Sequence, residues 1–351
     1  MQAKALSLAA EVALHSRRRP LWAQIFVTHR CELRCPFCVV PLKRTPEMGV
    51  AEWEIVMRRL WQMGVRALNF VGGEPTLHKE IWEILSVADT LGFVTVLHSN
   101  LARPHPDLVA RMNESRVCAL EASLDSLDNS FPKSSPGVLD TLEESRRAGI
   151  LPIVSTVATS RTSDVVPLIA RAVTERGFAH VTAVYQSVGG MFSSPDESLR
   201  PTAGQIDSLF AELREIKRRT HLIRNSWHFL NNPEYHKPKG WHCDPNRTLW
   251  LAVDSDGSLM ACQEFRTGVS LLDEVFSADA WGSERSRIAN SCLGCSYHCY
   301  VEPQELTVSA LAREAFAWAL GVGKLTSGTA RLTVRSRPDS IRLEEIPPAR
   351  K

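Results

Sequence analysis

Between residues 21 and 186, short β-rich runs alternate with amphipathic helical runs. This alternation predicts parallel strands joined by crossover helices. The predicted strands are Leu21–Thr28, Ala67–Val71, Phe93–His98, Cys118–Leu124, Ile153–Val157 and His180–Tyr185. The predicted helices are Ala51–Met63, Glu80–Leu91, Pro106–Met112, Val138–Ala148 and Asp164–Arg176. Six units are two fewer than a complete barrel contains, so we expect an α/β fold with a partial (β/α)6 barrel and its chemistry at the C-terminal strand ends.

After Gln186 the pattern changes. The stretch 188–201 is rich in Gly, Ser and Pro and predicts a loop, which a polar helix follows. The later elements predicted are the helix Ala203–Arg219, a hairpin of Leu249–Val253 with Ser258–Cys262, a helix Glu305–Leu320 and a strand Arg331–Val334. We therefore expect four regions, which are a lead-in helix (1–20), the barrel (21–220), a small cysteine-rich domain (221–303) and a C-terminal helix and tail (304–351).

Composition narrows the functional classes. The 351-residue chain is 44% hydrophobic and 23% charged with a net charge of +2, which is typical of a globular protein and argues against a nucleic-acid coat. No apolar run approaches the length of a membrane span. The apolar run near the N-terminus precedes three arginines, the reverse of a secretory signal. We expect a cytoplasmic protein, with peripheral membrane contact by the lead-in helix as the alternative.

Nine cysteines occur, and eight of them fall into two groups, one near each end of the chain. The first group is Cys31-Glu-Leu-Arg-Cys35-Pro-Phe-Cys38, directly after the first predicted strand. Three close thiolates can hold one [4Fe–4S] cube and leave its fourth iron open to a ligand. A structural zinc site is the alternative, but zinc sites usually have four ligands in paired Cys-x-x-Cys elements.

The spacing Cys-x3-Cys-x2-Cys, with Phe37 before the last cysteine, resembles the signature of the radical S-adenosylmethionine (SAM) superfamily. Gly72-Gly73-Glu74-Pro75, at the end of the second predicted strand, resembles the family's second motif. The resemblance implies that this turn meets the methionine amino group of SAM. Glycines permit close backbone approach, and a carboxylate can accept hydrogen bonds from an ammonium group.

Two further polar turns resemble the family's SAM contacts. Ser123-Leu-Asp125-Ser126 ends the fourth predicted strand, and Ser99-Asn100 ends the third. The resemblance implies that Ser123 and Asp125 contact the ribose and the methionine carboxylate and that Asn100 belongs to the family's short polar turn at SAM. Plain capping or turn chemistry is the alternative for both turns. The adenine-contacting segment would lie near 185–188. Cys118 is predicted to be a core cysteine.

The resemblance also implies a mechanism. SAM would chelate the open iron, and one electron from the reduced cluster would break its carbon–sulfur bond. The products would be methionine and a 5′-deoxyadenosyl radical, which takes a hydrogen atom from the substrate. The protein's part is to bind, orient and exclude competitors. A flavodoxin- or ferredoxin-like electron donor is the expected partner.

The second cysteine group contains five members, which are Cys243, Cys262, Cys292, Cys295 and Cys299. The Gly257-x4-Cys262 spacing after Cys243 resembles the opening of the auxiliary-cluster extensions called SPASM, with two clusters, and twitch, with one. Five cysteines are too few for a complete SPASM pattern. The resemblance therefore implies one auxiliary [4Fe–4S] cluster on the first four, with Cys299 competing for the fourth place. Zinc is the alternative.

The sequence constrains the class of substrate less than it constrains the cofactors. Only 20 residues precede the first predicted strand, which leaves no room there for a peptide-recognition domain and favours a small-molecule or lipid substrate. A maturase acting on a peptide or protein, and a non-enzymatic zinc-binding protein, are the alternatives. Candidate substrate contacts are Gln186, Arg161, Arg224 and Glu264, each of which is more often an ordinary surface or pairing residue.

Overall fold

The computed structural model describes residues 19–128, 130–134, 137–236, 240–247 and 249–305. The predicted lead-in helix, the helix over 305–320 and the strand over 331–334 lie outside these residues, apart from residues 19, 20 and 305. The rest of the predicted elements can be compared with the structure.

One sheet of nine strands forms the centre of the fold. Its strands are β1 (Trp22–Thr28), β2 (Ala67–Gly72), β3 (Val94–Ser99), β4 (Ala119–Ser123), β5 (Leu151–Ala158), β6 (Ala179–Val184), β7 (Trp250–Val253), β8 (Ser258–Cys262) and β9 (Phe265–Ser270). The order is β6-β5-β4-β3-β2-β1-β7-β8-β9. Strands β1 to β6 pair in parallel, which confirms the α/β partial barrel.

The helices in the described ranges are α1 (Val50–Met63), α2 (Ile81–Thr90), α3 (Leu108–Glu114), α4 (Val138–Arg147), α5 (Val166–Glu175), α6 (Ala203–Thr220), α7 (Trp227–Leu230), α8 (Ala278–Ser291) and α9 (His298–Glu305). The first six match predicted helices. Helix α8 was not predicted because it has little apolar periodicity and buries only Trp281 and Arg285. Strand β9 was also missed.

The two faces of the parallel sheet have different partners. The outer face carries fully buried side chains such as Ile25, Phe70 and Leu120, which pack in one cluster with Trp53 and other helix residues. Each such side chain contributes roughly 1.5–3 kcal/mol of hydrophobic free energy. The inner face has an apolar layer of Val96, Ala119, Ile153, Ala179 and Val181 and polar residues nearer the C-terminal strand ends. The helices therefore cover only the outer face, and the inner face of the sheet remains accessible to a ligand.

The cysteine-rich part continues the barrel sheet. Strand β7 pairs with β1 in parallel, and β8 and β9 follow it in antiparallel pairs. The rings of Trp22 and Trp250 stack with centroids 6.3 Å apart across the β1–β7 pair. The division at residue 220 stays a prediction, but the regions on either side of it share one sheet.

None of the helices in the described ranges has the length and apolar character needed to cross a membrane.

His180 on β6 is a fully buried, neutral histidine. Thr156 Oγ1 donates to the Leu124 carbonyl at 2.8 Å, so it accepts at 3.0 Å from the Nε2–H of His180. Burial lowers the pKa of His180 to about 3. Below its unfolded-state pKa of about 6.5, the unfolded chain binds a proton that the folded chain does not bind. Its contribution to stability is therefore complete above pH 6.5 and decreases as the pH falls towards 3.

We expect His180→Asn to reduce the pH dependence of unfolding between pH 6.5 and 5.5. In this window the wild-type unfolding free energy should fall more steeply than that of the variant, by up to about 1.4 kcal/mol per pH unit. Urea unfolding at several pH values measures both slopes. His105→Asn, at an exposed position, is the matched surface variant. Equal slopes for wild type and His180→Asn would contradict the assignment.

Candidate active site

The loop after β1 carries Cys31, Cys35 and Cys38. The Cys38 amide donates to the Cys35 carbonyl at 3.1 Å, which closes the turn between them. The Leu33 amide and the Asn100 Nδ2 donate to Cys31 Sγ at 3.4 and 3.7 Å. Cys35 is the most buried of the three, with 8% of its surface exposed, and burial raises its pKa to about 11.

Phe37, the aromatic residue of the triad, is buried against its surroundings. It packs with Cys35, Tyr185 and Leu199 in a small apolar cluster at the end of β6. The ammonium group of Lys133 lies over its ring, 5.1 Å from the centroid. Phe37 therefore anchors the cysteine loop on the far side of the barrel mouth.

Lys133 is a site residue that the sequence analysis missed. Its Nζ lies 3.9 Å from Asp125 Oδ2, and Asp125 Oδ1 accepts from the Val157 amide at 2.8 Å. Burial lowers the pKa of Lys133, but the charges of Asp125 and of the three triad cysteines outweigh it and raise the pKa. The triad therefore faces a partly buried cation. No motif pointed to it, because it lies in a loop that only the fold brings to the cysteines.

The Gly72-Gly73 turn packs directly on the segment that leads into the triad. The Gly73 and Glu74 amides donate to the carbonyls of Thr28 and Arg30 at 2.8 and 2.7 Å. A Cβ atom on Gly73 would lie 2.1 Å from the Arg30 oxygen, and one on Gly72 would lie 2.2 Å from the Thr28 oxygen. The close approach that requires glycine here is to the chain's own backbone.

Glu74 is a buried carboxylate with 2% of its surface exposed. It accepts from the Thr76 amide and hydroxyl, from Ser99 Oγ at 2.9 Å and from the Asn100 amide at 2.8 Å. Burial raises its pKa and these hydrogen bonds lower it, with burial the larger effect. Glu74 thus fixes the end of β3, from which the Asn100 side chain reaches Cys31. Pro75 begins the short 3₁₀ turn that follows.

The predicted SAM residues lie together at the strand ends. Glu74 and Asn100 lie beside Cys31, and Asp125 lies beside Lys133, which faces all three cysteines. Ser123 ends β4 half-buried, opposite Ser155 of β5. Their roles in binding SAM stay predictions.

The donor set fits a thiolate-bound cluster. Hydrogen bonds to the sulfurs and nearby charge are the means by which proteins tune such clusters. Cys31 receives two N–H donors, and Lys133 supplies a positive charge. Within the described ranges, no three His, Cys, Asp or Glu side chains converge as one metal ion requires. In a cube each thiolate binds a different iron, so the sulfurs surround a volume and need not converge on one point.

The second cysteine group also assembles. Cys295 interacts electrostatically with Cys243, Cys262 and Cys292, and Cys299 interacts with Cys243 and Cys262. Burial raises the pKa of Cys243 to about 11 and that of Cys262 to about 12. Burial raises the pKa values of Cys295 and Cys299 well above the ordinary thiol value. All five thiols are half-buried and interact electrostatically within one group, and the choice between Cys299 and the other four stays open.

Arg285 is the buried cation of the second group, with 2% of its surface exposed. Its Nη1 and Nη2 donate to the carbonyls of Pro245 and Arg247, each at 2.8 Å. Burial lowers its pKa, whereas the negative charges of Cys243 and Cys262 act to raise it. Each cysteine group therefore faces a positive charge, that of the partly buried Lys133 at the first and that of the buried Arg285 at the second.

Glu264 joins the two cysteine groups through residues 190–194, which we call the connecting loop. Its carboxylate accepts from the amides of Phe192 and Ser193 at 3.0–3.2 Å and from the Tyr297 hydroxyl at 2.5 Å. Its own amide lies 3.4 Å from Cys262 Sγ. Glu264 is 2% exposed, so these contacts occupy it within the protein.

The other side of the connecting loop holds the triad. The Val39 amide donates to the Phe192 carbonyl, and the Ser194 amide donates to the Phe37 carbonyl, both at 3.0 Å. Cys38 and Ser193 form an antiparallel bridge. A path of hydrogen bonds thus runs from Cys262 through Glu264 to Cys38.

The remaining substrate candidates lie in different surroundings. Gln186 is buried, and its Nε2 donates to the Val184 carbonyl at 3.4 Å. Arg161 is exposed. Arg224 reaches the inner face of the barrel, where its Nη1 lies 3.7 Å from Glu121 Oε2. Of the four candidates, only Arg224 approaches another charged group of the inner face.

We expect Glu264→Gln to loosen the connecting loop and the end of the triad loop. Glutamine is neutral and has one acceptor oxygen, so the contacts to Phe192, Ser193 and Tyr297 cannot all remain charge-assisted. The unfolding free energy should fall by about 2 kcal/mol. Amide hydrogen exchange should become faster in peptides covering 37–40 and 190–194. Unchanged exchange there, relative to a Glu274→Gln control at an exposed position, would contradict the link.

Comparisons with known proteins agree with this geometry. A family model for the radical SAM superfamily matches residues 25–160, which include the cysteine triad and the Gly72–Pro75 turn. SuiB of Streptococcus suis, solved with precursor peptide SuiA, superposes with a TM-score of 0.61 at 17% identity, over 87% of this chain and 79% of SuiB. The structure of anSMEcpe with bound AdoMet gives a TM-score of 0.59 at 15% identity, over 87% of this chain and 99% of anSMEcpe. At these identities the solved structures are similar in fold.

Proposed function

We propose that the chain is a radical SAM enzyme with its radical SAM domain over residues 25–160, and that Cys31, Cys35 and Cys38 hold its catalytic [4Fe–4S] cluster. When bound, the cluster and SAM supply a 5′-deoxyadenosyl radical, which abstracts a hydrogen atom from the substrate. The observation that supports this best is the three-cysteine loop at the C-terminal end of β1, held by the Gly72–Gly73 turn and facing Lys133.

The protein's own residues position and enclose this chemistry. Glu74 orders the ends of β2 and β3, so that Asn100 donates to Cys31 Sγ. Lys133 offsets negative charge at the triad, and Phe37 packs the loop against Tyr185. We propose that Gly72, Gly73, Glu74, Pro75, Asn100, Ser123 and Asp125 surround SAM. The partly enclosed strand ends would limit the access of water to the radical.

We further propose an auxiliary [4Fe–4S] cluster on Cys243, Cys262, Cys292 and Cys295, with Cys299 as the competing ligand. Its support is the gathering of five half-buried thiols, of which Cys243 and Cys262 interact with Arg285. A flavodoxin- or ferredoxin-like protein would supply electrons. Zinc is the alternative metal, and iron and sulfide analysis of the purified protein distinguishes the two.

We propose a small-molecule or lipid substrate. The alternative of a peptide is favoured by one observation, since the solved structures of similar fold include SuiB with precursor peptide SuiA and anSMEcpe with a Cp18Cys peptide. Stimulation of SAM cleavage by small-molecule pools, compared with stimulation by candidate precursor peptides, separates the two classes.

Cys35→Ala is expected to abolish SAM cleavage, because two thiolates cannot hold the cube with one iron left open. The measurement is 5′-deoxyadenosine formed anaerobically with dithionite as reductant. Expected yields are below 1% of wild type for Cys35→Ala. The control is Cys118→Ala, which removes a half-buried thiol outside both groups and should cleave SAM like the wild type. A wild-type yield from Cys35→Ala would refute the assignment.

Metal counting after anaerobic reconstitution tests the second cluster. Two [4Fe–4S] clusters predict about eight irons per chain, and Cys295→Ala should lower the count to about four. Cys118→Ala should leave it at about eight. A count of about four for the wild-type protein, with no further loss in Cys295→Ala, would rule out the auxiliary cluster.

A further inference from the structure

The inner face of the barrel carries a row of polar side chains beneath the strand ends. Gln24 of β1 is opposite Asn69 of β2, and His98 of β3 is opposite Glu121 of β4. His98 and Glu121 each lie two positions before a predicted SAM residue, Asn100 and Ser123. Side chains alternate along a strand, so this row faces the same interior as the strand ends do. It lies where a substrate below SAM would be bound.

Glu121 is the unusual member of the row. It is 7% exposed, yet no described group makes a hydrogen bond of normal geometry to its carboxylate. Its nearest nitrogen donors are His98 Nδ1 at 3.4 Å and Arg224 Nη1 at 3.7 Å, both beyond the usual length of a charge-assisted hydrogen bond. A buried carboxylate without hydrogen bonds is strongly unfavourable unless a ligand or solvent satisfies it.

Two more polar atoms on neighbouring strands lack partners. Asn69 Oδ1 and His98 Nε2 are buried and have no hydrogen-bond partner among the described residues. These two atoms and the Glu121 carboxylate lie on three adjacent strands of one face, so a single ligand that contacts β2, β3 and β4 would satisfy all of them.

Glu121, Asn69 and His98 all present hydrogen-bond acceptors to the barrel interior. Burial lowers the pKa of His98, against the opposing effect of Glu121, so its ring is neutral at pH 7. Since Nδ1 faces the Glu121 carboxylate, the proton belongs on Nδ1, and Nε2 is left as an acceptor. Glu121, His98 Nε2 and Asn69 Oδ1 are then all acceptors. They match a ligand group that carries several donors and a positive charge.

We propose that the inner face of the barrel binds the substrate through a protonated amino group, with Glu121 as its counter-ion and Asn69 and His98 as further acceptors. An ammonium group offers three donors and one charge, whereas a hydroxyl offers one donor and no charge. The assignment rests on the proposed function, because it places the amine beneath SAM. A free amine and a lysine side chain of a peptide present the same group.

Arg224, which is partly exposed, tunes the affinity of this site for an amino group. Its guanidinium lies 3.7 Å from Glu121 and is 38% exposed. It therefore offsets part of the carboxylate charge that an ammonium group would use, which predicts opposite effects for substitutions of Glu121 and Arg224. His298 and Lys133, from outside the sheet, also face this region.

The test is anaerobic calorimetry on the full-length, reconstituted enzyme with SAM. The probes are butylamine for a free amine and Nα-acetyl-lysine amide for a lysine side chain. The matched neutral ligands are butanol and Nα-acetyl-norleucine amide. The variants are Glu121→Gln and Arg224→Gln, with Glu54→Gln on the exposed side of α1 as the control.

We expect at least one amine probe to bind, Glu121→Gln to weaken it at least tenfold, and Arg224→Gln to tighten it about threefold. The neutral ligands and the Glu54→Gln control should show neither change. No amine binding, or equal affinity in wild type and Glu121→Gln, overturns the proposal. If Glu121→Gln does not fold, an Arg224→Gln affinity that is unchanged or weaker overturns it.

The comparison of the two amine probes identifies the source of the amino group. Preference for butylamine indicates a free small-molecule amine, and preference for the lysine derivative indicates a peptide. Iron content and 5′-deoxyadenosine formation by the wild-type protein are measured on the same preparations. If both are normal and amine binding fails, only the substrate assignment is lost. If iron and SAM cleavage are absent, the proposed function itself fails.

Discussion

Buried carboxylates that accept backbone N–H groups fix the geometry on which the site depends. Glu74 accepts from the Asn100 amide, Asp125 from the Val157 amide, and Glu264 from the amides of the connecting loop. Each hydrogen bond joins segments far apart in the chain, and a charge-assisted bond in a buried environment is stronger than a neutral one. The loops that carry or contact the cysteines are therefore held as firmly as the strands beside them.

A positively charged side chain lies beside each of the two cysteine groups. Lys133, which is 19% exposed, faces the triad, and the buried Arg285 faces the C-terminal cysteines. A thiolate-bound cluster carries negative charge, which is costly to bury without compensation. The guanidinium of Arg285 bonds neutral carbonyls, so the neighbouring thiols account for its charge, whereas the charge of Lys133 is shared between the thiols and Asp125.

The sequence predicted the elements whose signals are local. Strands and helices from β1 to α6 have clear periodicity, and the cysteine spacing is a chemical pattern in itself. Helix α8 was missed because Gly282 and several serines interrupt its apolar pattern. Lys133 and Glu264 were not assigned their contacts because a long-range hydrogen bond leaves no local trace. The sequence predicted that the Gly72–Gly73 turn lets the backbone approach a neighbour closely. The structure shows that this immediate neighbour is the backbone before Cys31.

The contrast among the buried carboxylates also supports the proposed substrate site. Glu74, Asp125 and Glu264 all hydrogen-bond to amides of the chain, whereas Glu121 faces the barrel interior from the middle of a strand, where the amides belong to the sheet ladder. A residue there cannot tie two loops together. Retaining a charge at that position is physically reasonable if something that enters the barrel completes it, and the neighbouring acceptors of Asn69 and His98 indicate that the entering group brings donors.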